Sequence, residues 1–116
     1  MLKREFKLKS SAEVKEVLRA GRRYRGHFLT LFVLAGTNEH SRAAVIVGGK
    51  VASSAVIRNR VRRLIFTNLE GRFNAWENRP VSDMVVMVMT IPFDTTQSKL
   101  DEKQLLADLD QCFARL

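Results

Sequence analysis

The sequence is poor in the side chains that most enzymes use at their reacting centres. It contains one cysteine, Cys112, and two histidines, His27 and His40, in 116 residues. A single cysteine excludes an internal disulfide and fits a reducing compartment. Neither histidine has a carboxylate, a cysteine or a second histidine at metal-ligand spacing. Cys112 lies at helical spacing among apolar residues, so we interpret it as a buried core thiol, and the sequence predicts no protein-bound metal and no catalytic residue.

Carboxylates are scarce in the first half of the chain. Residues 1–63 contain fifteen Lys and Arg but four Glu and no Asp, whereas residues 64–116 contain five Lys and Arg and eight Asp and Glu. A hydrolase needs a nucleophile with its base, or clustered carboxylates that hold a divalent ion, and the basic half offers neither. The net charge of +8 and the pI near 10.4 predict a partner that is nucleic acid or an anionic membrane surface.

Long apolar runs are missing as well. The longest ones, such as Met84 to Met89, have the length of a strand, and no apolar signal core follows Lys3 and Arg4. We therefore expect a cytoplasmic protein. Hydrophobic residues make up 46% of the chain, which fits one compact domain over residues 1–116 with a genuine core.

The spacing of apolar residues and turn signals predicts the order helix, strand, strand, helix, strand, helix. Ser10 to Glu13 has the pattern of a capping box, and Gly21 is placed to end a first helix of about ten residues. A basic turn at 22–26 contains Tyr24, which could stack on a base or be half-buried. The remaining predicted elements are strands at 28–35, 43–47 and 81–91, a central helix within 50–68, and a last helix that begins at Ser98.

This order predicts an α/β (α+β) two-layer sandwich. Its sheet has about three to four strands, and the helices pack mainly on one face. The other face is then available as a shallow cleft.

The central helix is the most informative stretch. Ser53 and Ser54 can cap its start, and Ile57, Val61, Leu64 and Ile65 recur at helical spacing. The rest of its circumference carries Arg58, Asn59, Arg60, Arg62 and Arg63. No glutamate is interleaved at i+4 to offset these arginines, so an external anion is the expected partner. Guanidinium groups suit phosphate, and an Asn adds a donor and an acceptor for sugar or base edges; the alternative is a solvated basic face without a partner.

The segment Lys50-Val51, followed by small residues and then by Ala-Val-Ile-Arg-Asn-Arg-Val-Arg-Arg-Leu-Ile at 55–65, resembles the RNR motif of the bacterial ribonuclease P protein family. Weaker agreement extends over nearly the whole chain, from Leu8-Lys9 to Asp83. The resemblance implies a protein subunit of an endoribonuclease that matures the 5′ end of tRNA. The reaction itself would belong to a catalytic RNA with RNA-bound Mg²⁺.

The resemblance also implies a fold detail and two sets of binding residues. The arginine-rich helix would form a left-handed βαβ crossover, an exception to the usual hand. The catalytic RNA would contact Lys50, Arg58, Asn59, Arg60, Arg62 and Arg63. The single-stranded 5′ leader of precursor tRNA would lie in a cleft at Val14, Leu18 and Phe32. The family often has aromatic residues where this chain has Val14 and Leu18, so we expect weaker base stacking and more contact by shape and charge.

Other functions share part of this evidence. A ribosomal or general RNA-binding protein has the same charge but predicts no discrimination between precursor and mature tRNA. A stand-alone nuclease predicts RNA cleavage by the pure polypeptide. A reader of the DNA major groove would need a helix-turn-helix pair, whereas strand-like sequence directly precedes the arginine-rich helix. We expect the free protein to be monomeric.

Overall fold

The computed structural model describes residues 6–36, 39–52, 54–75, 80–94 and 99–116. The elements within these residues are α1 (Ser11–Ala20), β1 (Arg22–Arg25), β2 (Leu29–Ala35), β3 (Arg42–Val47), α2 (Ala55–Asn74), β4 (Ser82–Val88), β5 (Phe93–Asp94), β6 (Lys99–Leu100) and α3 (Glu102–Ala114). The main sheet has the order β1-β2-β4-β3, and β5 pairs with β6. This mixed arrangement of a four-stranded sheet and three helices confirms the predicted fold class. No helix in the described part of the chain has the length and apolar character of a membrane span.

The central helix α2 connects the two parallel strands of the sheet. β1 pairs with β2 and β2 with β4 in antiparallel fashion, whereas β3 and β4 run parallel from Arg42↔Asp83 to Val47↔Val88. Parallel neighbours require a crossover connection, and the arginine-rich helix supplies it. The left hand of this crossover stays a prediction.

The sheet carries helices on both faces, two on one and one on the other. Leu31, Val45 and Val86 belong to the main core, which lies under α2 and α3. The neighbouring residues Phe32 and Val85 point to the opposite face, as side chains of a strand alternate. There they form a smaller cluster with Val17 of α1 and surrounding half-buried apolar residues. The predicted uneven distribution of helices is therefore present, and α1 covers part of the second face.

The basic segment Arg22–Arg25 is a strand, so the predicted turn was wrong. β1 lies at the edge of the sheet and pairs on one side only, with β2. Exposed charged side chains are common on edge strands, which explains how a sequence without apolar alternation takes this conformation. Tyr24 is half-buried and packs against the main core.

The last helix begins later than predicted. Lys99–Leu100 forms β6, and α3 starts at Glu102 with Asp101 as its N-cap. The Asp101 carboxylate accepts a hydrogen bond of 3.0 Å from the backbone N–H of Gln104, so it satisfies a free donor of the first turn. Ser98, the predicted start, lies outside the described residues. The strand predicted over 81–91 is shorter and runs from Ser82 to Val88.

The first helix forms as predicted. The N–H of Glu13 donates to Ser10 Oγ at 3.2 Å, and the N–H of Ser10 donates to Glu13 Oε1 at 3.2 Å. This reciprocal pair is the capping box. At the other end, the N–H of Gly21 bonds to Val17 O at 2.8 Å. A Cβ at position 21 would lie 2.4 Å from that same oxygen, so the tight exit into β1 requires glycine.

A buried carboxylate joins α3 to the connection between β1 and β2. Asp108 is 3% exposed and accepts hydrogen bonds from the backbone N–H groups of His27, Phe28 and Leu29 at 2.8, 2.9 and 3.1 Å. Three donors satisfy a buried charge that would otherwise be costly. A Cβ at Gly26 would approach the Asp108 carboxylate to 2.4 Å, so this contact also fixes glycine at position 26.

Candidate nucleic-acid interface

The orientation of α2 decides which of its arginines face outward. Ser54 caps the helix, and Ser53 lies outside the described residues. The buried side chains are Val61, Ile65, Leu69 and Phe73. Each i+4 step advances by roughly 40° around the axis, which places Ile57 roughly 100° from the centre of this stripe. Ile57 is accordingly 41% exposed, so its predicted place in the core was wrong, and Leu64 is half-buried.

Arg58 anchors the loop that precedes α2. It lies one turn before Val61, above the buried stripe, and is half-buried. Its Nη1 donates to the carbonyl oxygen of Ala52 at 2.7 Å. The prediction that Arg58 lies on the basic part of the circumference, outside the apolar sector, was therefore wrong. Arg58 has a structural contact with the loop that leads from β3 to the helix.

We call the other predicted RNA-contacting residues the α2 basic face: Asn59, Arg60, Arg62 and Arg63 on the first turns of the helix, and Lys50 in the loop before it. Arg62 is half-buried and the rest are exposed. Arg62 Nη1 donates to Asn59 Oδ1 at 2.6 Å, which leaves the Asn59 amide N–H groups to donate outward. The first turns of α2 thus carry Asn59, Arg60, Arg62 and Arg63 outside the buried stripe. Lys50 is exposed in the preceding loop, which Arg58 ties to the helix at Ala52.

One arginine of this face has a carboxylate partner in the same molecule. Arg60 Nη2 lies 2.8 Å from Glu102 Oε1, and Arg60 Nε donates to the same oxygen at 2.9 Å. Glu102 begins α3, so no periodicity within α2 could reveal it. For Arg63, the described residues provide no salt-bridge partner. The charge of the α2 basic face is therefore only partly balanced from within.

A groove of about 620 Å³ lies between α2 and α3, beside the α2 basic face. Its lining combines apolar and charged side chains, among them Val56, Arg60, Arg63, Leu64, Glu102 and Leu106. Val56 is exposed although apolar. Such a mixed surface can receive the sugars and base edges of a polynucleotide while arginines bind its phosphates. Sequence reasoning missed Val56, Glu102 and Leu106, because their contribution arises from the packing of two helices.

The three predicted leader-cleft residues come together on the opposite face of the sheet. Val14 and Leu18 of α1 pack in the same cluster as Phe32 of β2. Phe32 is 8% exposed, and the guanidinium of Arg23 lies over its ring at 5.6 Å from the centroid. Little of this ring is available for stacking, whereas Val14 and Leu18 are half-buried.

An ion network fixes α1 to the sheet next to these residues. Arg42 Nη1 donates to Glu13 Oε2 at 2.6 Å, and Arg42 Nη2 and Nε donate to the two Asp83 oxygens at 3.0 and 3.2 Å. The hydrogen bond from Arg42 lowers the pKa of Glu13 below its usual value. The hydrogen bond to Asp83 is the main cause that raises the pKa of Arg42. Arg42 is thus an arginine of the basic half that is satisfied within the fold.

The chain's one cysteine is part of the hydrophobic core. Cys112 is buried in the main core as predicted, and burial raises the pKa of its thiol, so the thiolate is disfavoured at neutral pH. Within the described ranges, no three His, Cys, Asp or Glu side chains are grouped so that they could hold a metal ion.

Comparison with known proteins agrees with this geometry. A sequence model of the family described as Ribonuclease P matches residues 2–116. The chain is 30% identical to the ribonuclease P protein component of Pseudanabaena sp. (strain PCC 6903), over 99% of this chain and 94% of that protein. It is 33% identical to the protein component of Synechococcus sp. (strain WH7803), over 80% of this chain and 79% of that protein.

A solved structure shares the fold. The RNase P protein from Thermotoga maritima superimposes with a TM-score of 0.70 at 17% identity and covers 95% of this chain and 96% of its own. The full-length family match and the curated relatives carry the assignment beyond the fold. The chain belongs to the ribonuclease P protein family, and its role lies in ribonuclease P.

Proposed function

We propose that this chain is the RNA-binding protein subunit of ribonuclease P and that it binds the catalytic RNA through the α2 basic face. The observation that carries the proposal is the exposure of Asn59, Arg60 and Arg63 on the first turns of α2, beside the half-buried Arg62 and after the exposed Lys50 of the preceding loop. Arginine and lysine side chains that neutralise RNA phosphates release counterions, and this release drives binding in a salt-dependent manner. Arg58 supports that surface because it ties the loop before α2 to the helix.

The second part of the proposal concerns the 5′ leader of precursor tRNA. The cluster of Val14, Leu18 and Phe32 lies on the sheet face opposite α2, so the two RNAs would approach different sides of the protein. Because Phe32 is largely covered, the leader would be held by shape and by cations such as Arg23 more than by stacking on an aromatic ring.

In this proposal the RNA partner performs the cleavage with Mg²⁺ bound to RNA. The protein screens the phosphate repulsion between two RNAs and adds contacts that a precursor makes and a mature tRNA lacks, so binding energy favours the precursor. We place the protein in the cytoplasm as a monomer before it assembles with RNA.

The direct test is reconstitution with the catalytic RNA at low Mg²⁺. Precursors with a long leader and with no leader are cleaved in the presence and absence of the purified protein, and the two rates are compared. We expect the protein to stimulate cleavage, with the larger effect on the precursor that has a long leader.

Each alternative has its own outcome in the same experiment. Binding to RNA with no stimulation of either precursor would indicate a general RNA-binding protein and overturn the proposal. Cleavage by the protein without the catalytic RNA would indicate a stand-alone nuclease. Equal stimulation of both precursors would retain the assembly role and remove the leader role.

A further inference from the structure

A second group of arginines lies at the sheet edge that is remote from α2. The edge strand β1 carries Arg22, Arg23 and Arg25, all exposed. Arg115, which follows α3, reaches this strand, because its Nη2 donates to the carbonyl oxygen of Arg25 at 2.6 Å. We call these four residues the β1 basic edge.

Among the described residues, no carboxylate forms a salt bridge with the β1 basic edge. Arg19, Arg42 and Arg72 each form an ion pair, with Glu16, with Glu13 and Asp83, and with Asp110. Within the described part of the chain, none of the four edge arginines has a salt-bridge partner. The nearest buried acid, Asp108, has its two oxygens engaged by three backbone N–H groups.

The edge also contains a concave site of suitable chemistry. A pocket of about 530 Å³ is lined by Arg25, Gly26, His27, Gln111 and Arg115. The Arg115 guanidinium is held at one nitrogen by the Arg25 carbonyl, so its other N–H groups keep a fixed direction and can donate to an anion. Among the residues that the structure describes, no carboxylate side chain lines the pocket. An anion with several acceptor oxygens, such as a phosphodiester, matches this lining.

The β1 basic edge is separate from the α2 basic face. β1 and β3 are the two outer strands of the four-stranded sheet, which puts them roughly 14 Å apart across the sheet. α2 packs closely on β3. One phosphate therefore cannot contact both arginine groups, and the two surfaces face different parts of a ligand.

We propose that the β1 basic edge beyond Arg23, that is Arg22, Arg25 and Arg115, is a further binding site for an RNA phosphodiester backbone, in addition to the α2 basic face and the leader cluster. This inference rests on the proposed function, since it presumes that the protein works between two RNAs. Its chemistry is the same whether the phosphates come from the catalytic RNA or from precursor tRNA. The pocket combines two guanidinium groups with one imidazole and one amide, so the edge binds mainly the backbone, whose phosphates carry no sequence information.

The test uses the full chain with Arg22→Gln and Arg25→Gln combined, since in the described structure neither side chain has a hydrogen bond, an ion pair or a ring contact. The matched control combines Arg19→Gln with Lys99→Gln, which removes the same charge from exposed positions outside both basic surfaces. Two affinities are measured over a series of KCl concentrations: that of the protein for the catalytic RNA, and that of the assembled holoenzyme for precursor tRNA. Thermal unfolding and size-exclusion chromatography check folding and self-association.

We expect the double variant to lose about tenfold in one of these two affinities. In a plot of the logarithm of that binding constant against the logarithm of the KCl concentration, the slope should become shallower by about 1.5, as the loss of two phosphate contacts requires. A change in the first affinity identifies the catalytic RNA as the source of the phosphates, and a change in the second identifies the precursor. If both affinities match those of the control, the inference is wrong. If the variant instead self-associates, the arginines protect a strand edge from pairing. Neither of these two outcomes changes how the unmodified protein stimulates cleavage by the catalytic RNA. The reconstitution experiment therefore tests the proposed function separately.

Discussion

Arg42 and Arg63 have the same side chain and belong to the same basic half of the sequence, yet the fold uses them in opposite ways. The Arg42 side chain is 12% exposed and lies between the carboxylates of Glu13 and Asp83. Arg63 is exposed on α2, and in the described part of the chain it has no carboxylate partner. What distinguishes a structural arginine from a binding arginine is the partner that the fold brings to it. Charge counted along the chain cannot separate the two.

The difference has an energetic consequence. A buried ion is tolerated because its partners offset the cost of desolvation, so removal of one partner leaves the others uncompensated. An exposed arginine remains hydrated in the folded and unfolded states, so its removal changes folding stability little. Substitutions of inward-facing charges should therefore reduce stability, whereas substitutions on the α2 basic face should reduce RNA affinity.

The largest effect is expected for Asp108→Ala. This change leaves three backbone N–H groups without their acceptor in the interior, which should lower the free energy of unfolding by about 3 kcal/mol. Urea unfolding measures it. The matched control is Asp110→Ala, which removes a carboxylate on the same helix. The Asp110 side chain is 62% exposed, although its partner Arg72 is half-buried, so the change should cost less than about 1 kcal/mol. Similar losses in the two variants would contradict the distinction between inward and outward charge.

Arg42→Met should lower the free energy of unfolding by about 2 kcal/mol, because Glu13 and Asp83 lose their common cation. The effect is smaller than that of Asp108→Ala because Glu13 stays partly hydrated. The same variant should change the acid dependence. The folded-state pKa of Glu13 is lowered, so its contribution to stability is present above the usual value of 4.5 and is lost as pH falls through the folded pKa. Urea unfolding between pH 7 and pH 3 should show a shallower acid decline in Arg42→Met. An unchanged decline would mean that the network does not link α1 to the sheet electrostatically.

Arg58 and Arg62 are both half-buried on α2, yet we expect their substitution to affect stability differently. Arg62→Ala should leave stability within about 0.5 kcal/mol, weaken assembly with the catalytic RNA and flatten the salt slope by about 1. Arg58→Ala should weaken assembly as well, but it also removes the bond to the Ala52 carbonyl and should cost about 1 kcal/mol of stability. Salt titrations of binding and urea unfolding of both variants test this difference. A salt slope unchanged in Arg62→Ala would count against its phosphate role.

The sequence predicted the features that depend on nearby residues and missed those that depend on contacts between distant elements. The capping box at Ser10 and Glu13, the crossover helix and the three core strands β2, β3 and β4 depend on neighbours along the chain, and the sequence carries that information. The carboxylate of Asp108 and the partner of Arg60 depend on contacts between distant elements, so periodicity could not reveal them. β1 was misjudged for a related reason, since an edge strand needs no apolar alternation when one of its sides faces solvent.

The smallest effect concerns Glu102, the one described carboxylate that balances the α2 basic face. The Arg60 side chain is 61% exposed and that of Glu102 38% exposed, so solvent screens their ion pair and it adds little to stability. Glu102 does occupy the Arg60 guanidinium, and a phosphate must displace it to bind there. Glu102→Gln should therefore raise the affinity for the catalytic RNA about two- to threefold at low salt.

A double-mutant cycle separates this competition from a general gain of positive charge. If Glu102 acts through Arg60, Glu102→Gln should give no gain in a protein that already carries Arg60→Ala, and the interaction between the two changes should equal the single-variant gain. If the gain persists without Arg60, the carboxylate acts through the net field of the protein and not through the pair. The cycle thus decides whether Arg60, an arginine with a carboxylate partner in the same molecule, also binds RNA phosphate. Arg60 would then combine the roles that Arg42 and Arg63 have separately.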